Sequence, residues 1–125
     1  MAAAAPKPCA TVLVVDDDPG LRGVLARALA EAGYRVLTAA DGEEALALAG
    51  TLIGQLGLVI TDVRMPVMDG LTLAVRLAHL PTPPPVLFIS GYADRQEIPG
   101  PYLTKPFGPA TLLEAVGQIV STPAH

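Results

Sequence analysis

Five short runs of aliphatic and β-branched residues recur along the chain: "TVLVV" at 11–15, "RVLTA" at 35–39, "LGLVI" at 56–60, "VLFIS" at 86–90 and "YLT" at 102–104. The first four lack apolar and polar alternation, which is the pattern of parallel strands covered by helices on both faces. Between the first two runs, Leu21, Val24, Leu25, Ala28 and Leu29 repeat at helical spacing, with Asp18 as N-cap, Pro19 at the first helical position and Gly33 as the stop. The same logic predicts helices over 42–49, 69–80 and 109–120. Only "GYADRQEIPGP" separates the fourth and fifth runs, and Pro99, Gly100 and Pro101 leave room there for a turn or two of helix at most.

Strands alternating with helices imply an α/β fold. Right-handed crossovers leave few topologies for five parallel strands, and the commonest is the flavodoxin-like order 2-1-3-4-5. The predicted architecture is a flavodoxin-like (βα)5 three-layer sandwich whose fourth helix is shortened or replaced by a loop. Residues 10–121 form the domain, with 1–9 a disordered N-terminal tail and 122–125 a C-terminal tail.

Composition narrows the function. The chain has 125 residues, 51% of them hydrophobic and 16% charged, enough for one core in one domain. The net charge is −4 and Lys and Arg form no cluster, which argues against nucleic-acid or anionic-lipid binding and for protein or small-ligand partners. No apolar run is long enough to span a membrane, and the N-terminus lacks the apolar centre of a secretory signal, so a cytoplasmic location is expected. The one cysteine, Cys9, lies in a Pro- and Ala-rich tail and is assigned no role. His79 and His125 carry no signal.

The first run ends in three adjacent carboxylates, Asp16, Asp17 and Asp18, with no Lys or Arg beside them. Their repulsion calls for a neutralising partner. In the 2-1-3-4-5 order the first and third strands are neighbours, and ligands sit beyond the carboxyl ends of the strands at that switch point. Asp62, which ends "LGLVITD", emerges at the same place. Carboxylates converging there suit a hard divalent cation, Mg²⁺, which takes one or two carboxylates together with water and phosphate oxygens.

Four pieces, "VLVVDDDP", "LVITDVRMPVMDG", "VLFISGYA" and "YLTKPF", resemble in content and order the receiver domain of two-component response regulators, the CheY-like family. The resemblance covers almost the whole chain. It implies that Asp62 is the phosphoacceptor, taking a phosphoryl group from a phosphohistidine on a sensor histidine kinase or histidine phosphotransfer protein, and that the change then regulates a downstream protein target. It assigns Asp17 as a direct Mg²⁺ ligand, Asp16 as one acting more often through water, and the backbone carbonyl of Arg64 as a further ligand. Ser90 matches the hydroxyl that donates to the phosphoryl group, and Lys105 the lysine that pairs with Asp62 or the phosphate, placed by a cis bond to Pro106. Tyr102 matches the aromatic switch partner of Ser90.

Blander readings exist for each residue. A lone aspartate in "TDV" is a turn residue, a serine ending a strand is a turn former, a lysine at a strand end is a solvated charge, and a strand tyrosine packs at a sheet edge. For Asp18 the helix cap is preferred outright. For the others, their joint presence on the predicted strand ends favours function.

The Ser90 to Lys105 interval is a turn or two of helix shorter than in the standard receiver. That puts the usual dimerisation and output face in doubt, so a monomer is expected rather than a dimer. Short fourth helices of this kind resemble receivers of hybrid histidine kinases and stand-alone signalling receivers. Arg64 and Tyr92 fall at positions that in the family control the approach of water, and their bulk predicts a long-lived phosphoaspartate. The domain is expected not to be an enzyme beyond assisting its own phosphotransfer and autodephosphorylation. Two rivals are a receiver-like interaction module independent of phosphorylation and a small phosphohydrolase with an Asp nucleophile. The first usually lacks part of the acidic, hydroxyl and lysine set, and the second needs a substrate cap for which the chain has no inserted segment.

Overall fold

The computed structural model describes residues 10–91 and 98–121; the predicted tails at 1–9 and 122–125, and with them Cys9 and His125, as well as Tyr92, lie outside the described residues. In chain order the elements are β1 (Thr11–Val15), α1 (Pro19–Glu31), β2 (Arg35–Ala39), α2 (Gly42–Thr51), β3 (Leu56–Asp62), α3 (Gly70–Leu77), β4 (Val86–Ser90), β5 (Tyr102–Thr104) and α4 (Pro109–Ser121). All strand pairings are parallel and the sheet order is β2-β1-β3-β4-β5, as the sequence predicts.

Strand alternation divides the core into two layers, because successive side chains point to opposite faces. Val12 and Val14 of β1 join Leu58 and Ile60 of β3, Leu87 and Ile89 of β4, Leu25 and Leu29 of α1, and Leu112 and Val116 of α4. Leu13 and Val15 face the other way, with Val59 of β3, Ala45 and Ala49 of α2, and Leu73 and Leu77 of α3. The result is a three-layer sandwich in which β1 and β3 are the buried centre.

Local chemistry sets the helix ends. Asp18 caps α1 by accepting from the Gly20 N–H at 2.9 Å, Asp41 caps α2 from Glu44 at 2.8 Å, and Asp69 caps α3 from Thr72 at 2.8 Å. Helix α1 closes with Gly33 at φ +103°, where the Tyr34 N–H reaches the Leu29 carbonyl and the Gly33 N–H reaches Ala30, the paired bonds of a glycine stop.

Three elements differ from expectation. β3 runs two residues beyond the predicted 56–60, because Thr61 and Asp62 still pair with Phe88 and Ile89 of β4. α3 ends at Leu77 rather than near Leu80, its last turn tightening into bonds from His79 to Arg76 and from Leu80 to Leu77. β2 is not covered on both faces: it lies at the sheet edge, with Arg35, Leu37 and Thr38 exposed and only Ala39 buried. Between β4 and β5, the described residues Gly91 and 98–101 form no helix. Among the described residues no helix is long and apolar enough to cross a membrane.

Candidate functional site

The carboxyl ends of β1, β3, β4 and β5 open on one side of the sheet, and the polar residues singled out from the sequence gather there. Asp62 is the last residue of β3 and Ser90 the last of β4, while Asp16 immediately follows β1. All three are buried, at 5%, 5% and 1% exposure respectively, among strand residues that are mostly apolar. A buried carboxylate must be paired or pay a large desolvation cost, so the partners of Asp62 and Asp16 define the site.

Asp62 is paired. Its Oδ2 accepts from Lys105 Nζ at 2.7 Å, a contact between residues 43 apart in sequence, and its Oδ1 accepts from the Arg64 N–H at 3.0 Å. Lys105 follows β5 directly, and its N–H donates to the Ser90 carbonyl at 2.9 Å, so β4 and the lysine are tied together at the pocket rim. The Lys105–Pro106 peptide is cis. Burial pulls the Lys105 pKa down, but the hydrogen bond and charge of Asp62, helped by Asp16 and Asp17, outweigh it and raise the value above the ordinary 10.5. The ammonium is the neutralising partner that the local sequence around the three aspartates lacks.

Asp16 is half satisfied. Its Oδ1 accepts from the Asp18 N–H at 2.8 Å, but Oδ2 is buried with no hydrogen-bond partner among the described residues. Burial raises its pKa above 3.8; the Asp18 amide opposes this, and the charges of Asp62 and Asp17 add to it. The charges of Asp62 and Asp17 thus act on Asp16, and its buried Oδ2 is an acceptor of the kind a cation would satisfy. Asp17, by contrast, is exposed. Among the described residues no three His, Cys, Asp or Glu side chains gather into a metal-holding group on their own. Mg²⁺ asks for less, one or two carboxylates with the remaining oxygens from water, backbone or phosphate, and the orphaned Asp16 oxygen near Asp62 fits that requirement.

The remaining predicted residues surround this centre. Ser90 Oγ donates to the Gly91 carbonyl at 3.2 Å. Arg64 is exposed beside Asp62. Tyr102 stands on the edge strand β5, 54% exposed. His79 lies exposed just beyond the C-terminal end of α3, its Nδ1 2.8 Å from the Val75 carbonyl, outside the site.

Two contributors escape sequence reasoning. Gly70, at the start of α3, lies against the backbone of Asp62: a Cβ there would overlap the Asp62 carbonyl oxygen and sit 3.0 Å from its carbon and 3.1 Å from Val63 Cα. The Gly70 N–H also donates to the Val63 carbonyl at 2.9 Å. Arg22 of α1 reaches back to the Asp16 carbonyl at 2.7 Å. The "DG" pair that opens α3 hints at the first; nothing local signals the second. The loop between β3 and α3 is itself tight, with Val67 at φ +74° and the Met68 N–H bonded to the Pro66 carbonyl, a strained three-residue turn.

Known proteins are similar to this chain. The chain is 41% identical over 113 residues to the positive alginate biosynthesis regulatory protein of Pseudomonas aeruginosa, covering 84% of this chain and 45% of that one. It is 37% identical over 118 residues to the sensor kinase CckA of Brucella abortus, covering 89% of this chain and 12% of the kinase. It thus spans less than half the length of either relative. The crystal structure of a receiver domain from the hybrid histidine kinase CckA superposes with a TM-score of 0.80 at 43% identity, covering 89% of this chain and 99% of that domain. The family model of the response regulator receiver domain matches residues 12–117, nearly the whole described fold, and the chain belongs to that family.

Proposed function

We propose that this domain is a phosphoacceptor of two-component signalling, with residues 10–121 as the functional unit and Asp62 as the acceptor. The observation that carries the reading is the buried Asp62 carboxylate at a strand end, held by Lys105 at 2.7 Å beside the unsatisfied oxygen of Asp16. A structural ion pair alone would have no use for a second buried, unsatisfied carboxylate at the same spot.

The step is an in-line transfer. An oxygen of Asp62 attacks phosphorus, the bond from phosphorus to the donor imidazole nitrogen of a histidine kinase or histidine phosphotransfer protein breaks, and that nitrogen leaves with the bonding pair. Asp62 is suited to this because both its oxygens are oriented, Oδ1 by the Arg64 amide and Oδ2 by Lys105. Lys105 then follows the negative charge from the carboxylate to the phosphoryl oxygens, and Ser90 turns its hydroxyl from the Gly91 carbonyl to donate to the same group. Asp16, Asp17, Asp62 and the Arg64 carbonyl would hold Mg²⁺, which when bound withdraws charge from the phosphoryl oxygens. Movement of Ser90 leaves space for the Tyr102 ring, now exposed on β5, to turn inward and change the surface offered to a protein target. The domain assists its own phosphorylation and dephosphorylation and turns over no separate substrate. The same reading takes the chain as a cytoplasmic monomer.

Trapping the modified residue tests this. After incubation with a small acyl phosphate and Mg²⁺, borohydride reduction of an aspartyl phosphate yields homoserine, and peptide mapping should find it at position 62. Homoserine at Asp16 or Asp17 instead, or a phosphoryl group on a hydroxyl, would overturn the assignment.

A further inference from the structure

Arg22 occupies an unfavourable place unless it has a task. It lies in the first turn of α1, its own N–H making the first bond of the helix to the Asp18 carbonyl at 2.9 Å. The exposed amides at a helix N-terminus carry partial positive charge, so a cation there is disfavoured. Helical side chains lean toward the N-terminus, and that lean carries the guanidinium back over the turn to the end of β1. There Arg22 Nη1 donates to the Asp16 carbonyl at 2.7 Å, a short charge-assisted bond.

That carbonyl matters because of the peptide to which it belongs. The pairing of β1 with its neighbours ends at Val15, so the Asp16 carbonyl is the first beyond the sheet. It is also one half of the peptide unit joining Asp16 to Asp17, and the planarity of that unit means that holding its carbonyl also sets the orientation of the Asp17 amide in the backbone. On the other side, the Asp16 carboxylate is held by the Asp18 amide at 2.8 Å, which leaves Oδ2 buried with no hydrogen-bond partner among the described residues. With the plane fixed at the carbonyl and its own side chain fixed at Oδ1, the Asp16 carboxylate is held in place, and the backbone from which the exposed Asp17 side chain departs is held with it.

We propose that Arg22 is a positioning residue that locks the Asp16–Asp17 peptide plane so that both carboxylates are presented to a divalent cation. The inference rests on the phosphoacceptor reading, in which these two residues hold Mg²⁺. It makes a prediction of opposite sign to simple electrostatics. Neutralising a cation beside a metal site should tighten metal binding by removing repulsion, whereas releasing the peptide plane should weaken it. Loss of a residue that orients metal ligands typically costs about tenfold or more in affinity.

The experiment is calorimetric titration of the metal-free full chain with Mg²⁺ alone, comparing the parent with Arg22→Met and Arg22→Lys, alongside melting curves for each. Arg22→Met is expected to weaken Mg²⁺ binding about tenfold, and Arg22→Lys, which keeps a charged donor, to recover most of the loss. Unchanged or tighter binding in Arg22→Met, with the parent binding Mg²⁺, overturns the positioning role and leaves the phosphoacceptor reading intact. Equal weakening in both variants in proportion to a lowered melting temperature also overturns it, as a merely structural effect. A parent that binds no Mg²⁺ overturns both.

Discussion

Adding one methyl group at Gly70 should disturb the phosphoacceptor more than almost any change of that size elsewhere. Ala at this position needs no unusual backbone conformation, so the perturbation is steric: its Cβ would overlap the Asp62 carbonyl oxygen and press on the Asp62 carbon and Val63 Cα at 3.0 and 3.1 Å. Every one of those atoms is main chain, and no rotamer change can relieve the clash. Either the first turn of α3 lifts away, breaking the 2.9 Å bond from the Gly70 N–H to the Val63 carbonyl, or the end of β3 moves and takes Asp62 with it. Overpacking of this kind costs up to about 3 kcal/mol. For a domain of this length that corresponds to a fall of about 12 °C in Tm. A shift of about 1 Å in a reacting group can slow a reaction roughly a hundredfold. The control is Gly23→Ala, in the exposed middle of α1 with nothing within 4 Å of its Cβ, where the same change should stabilise by about 0.5–1 kcal/mol. Thermal melting by circular dichroism and the rate of phosphorylation by a small acyl phosphate read both effects. A Gly70→Ala protein that melts within about 2 °C of the parent and is phosphorylated at the parental rate would refute the reasoning.

Other substitutions separate the charges of the pocket. Asp16→Asn should raise the stability of the metal-free protein at neutral pH by about 1–3 kcal/mol, since burial of the unsatisfied carboxylate favours its protonated form. Because that pKa is raised on folding, the cost of ionisation is absent below about 3.8 and grows as pH rises through the folded value, so denaturant titrations should find the gap between the two proteins closing in acid. Lys105→Met should lower stability at neutral pH by about 1 kcal/mol, the partial exposure of the lysine reducing the penalty of a broken buried pair. Its raised pKa means that the contribution is complete below 10.5 and lost as pH rises through the folded value, so the two proteins should converge only in strong alkali. Replacing Arg64 and Tyr92 together by Ala should hasten decay of the phosphoaspartate, followed by loss of the added mass with time; an unchanged half-life would dismiss their shielding role.

The alternation of strand-like and helical runs sufficed for the sheet order and four helices, because parallel strands and capped helices are encoded by neighbouring residues. Asp18, Asp41 and Asp69 each announce a helix start and each is found capping one. The acidic cluster was legible for a different reason: topology brings the ends of β1 and β3 together, so Asp16 and Asp62 converge once the strand order is known. What escaped is tertiary. The exposure of β2 depends on its position at the sheet edge, since "RVLTA" looks as apolar as a central strand. Arg22 reads as one of several basic residues until α1 is placed against the end of β1. Gly70 reads as a helix-start glycine until the backbone of Asp62 is seen beside it. Asp17, grouped with Asp16 by sequence, turns out exposed where Asp16 is buried, because Asp16 directly follows the strand and still sits in the sheet's end while the chain one residue later faces solvent.

The central claim is that Asp62 accepts a phosphoryl group with the help of a divalent cation. Intact mass after incubation with a small acyl phosphate, with and without Mg²⁺, for the parent and for Asp62→Asn, tests it most directly. The account predicts a gain of one phosphoryl group in the parent that requires Mg²⁺ and is absent in Asp62→Asn. An equal gain in the variant, or none in a folded parent with Mg²⁺ present, would contradict it.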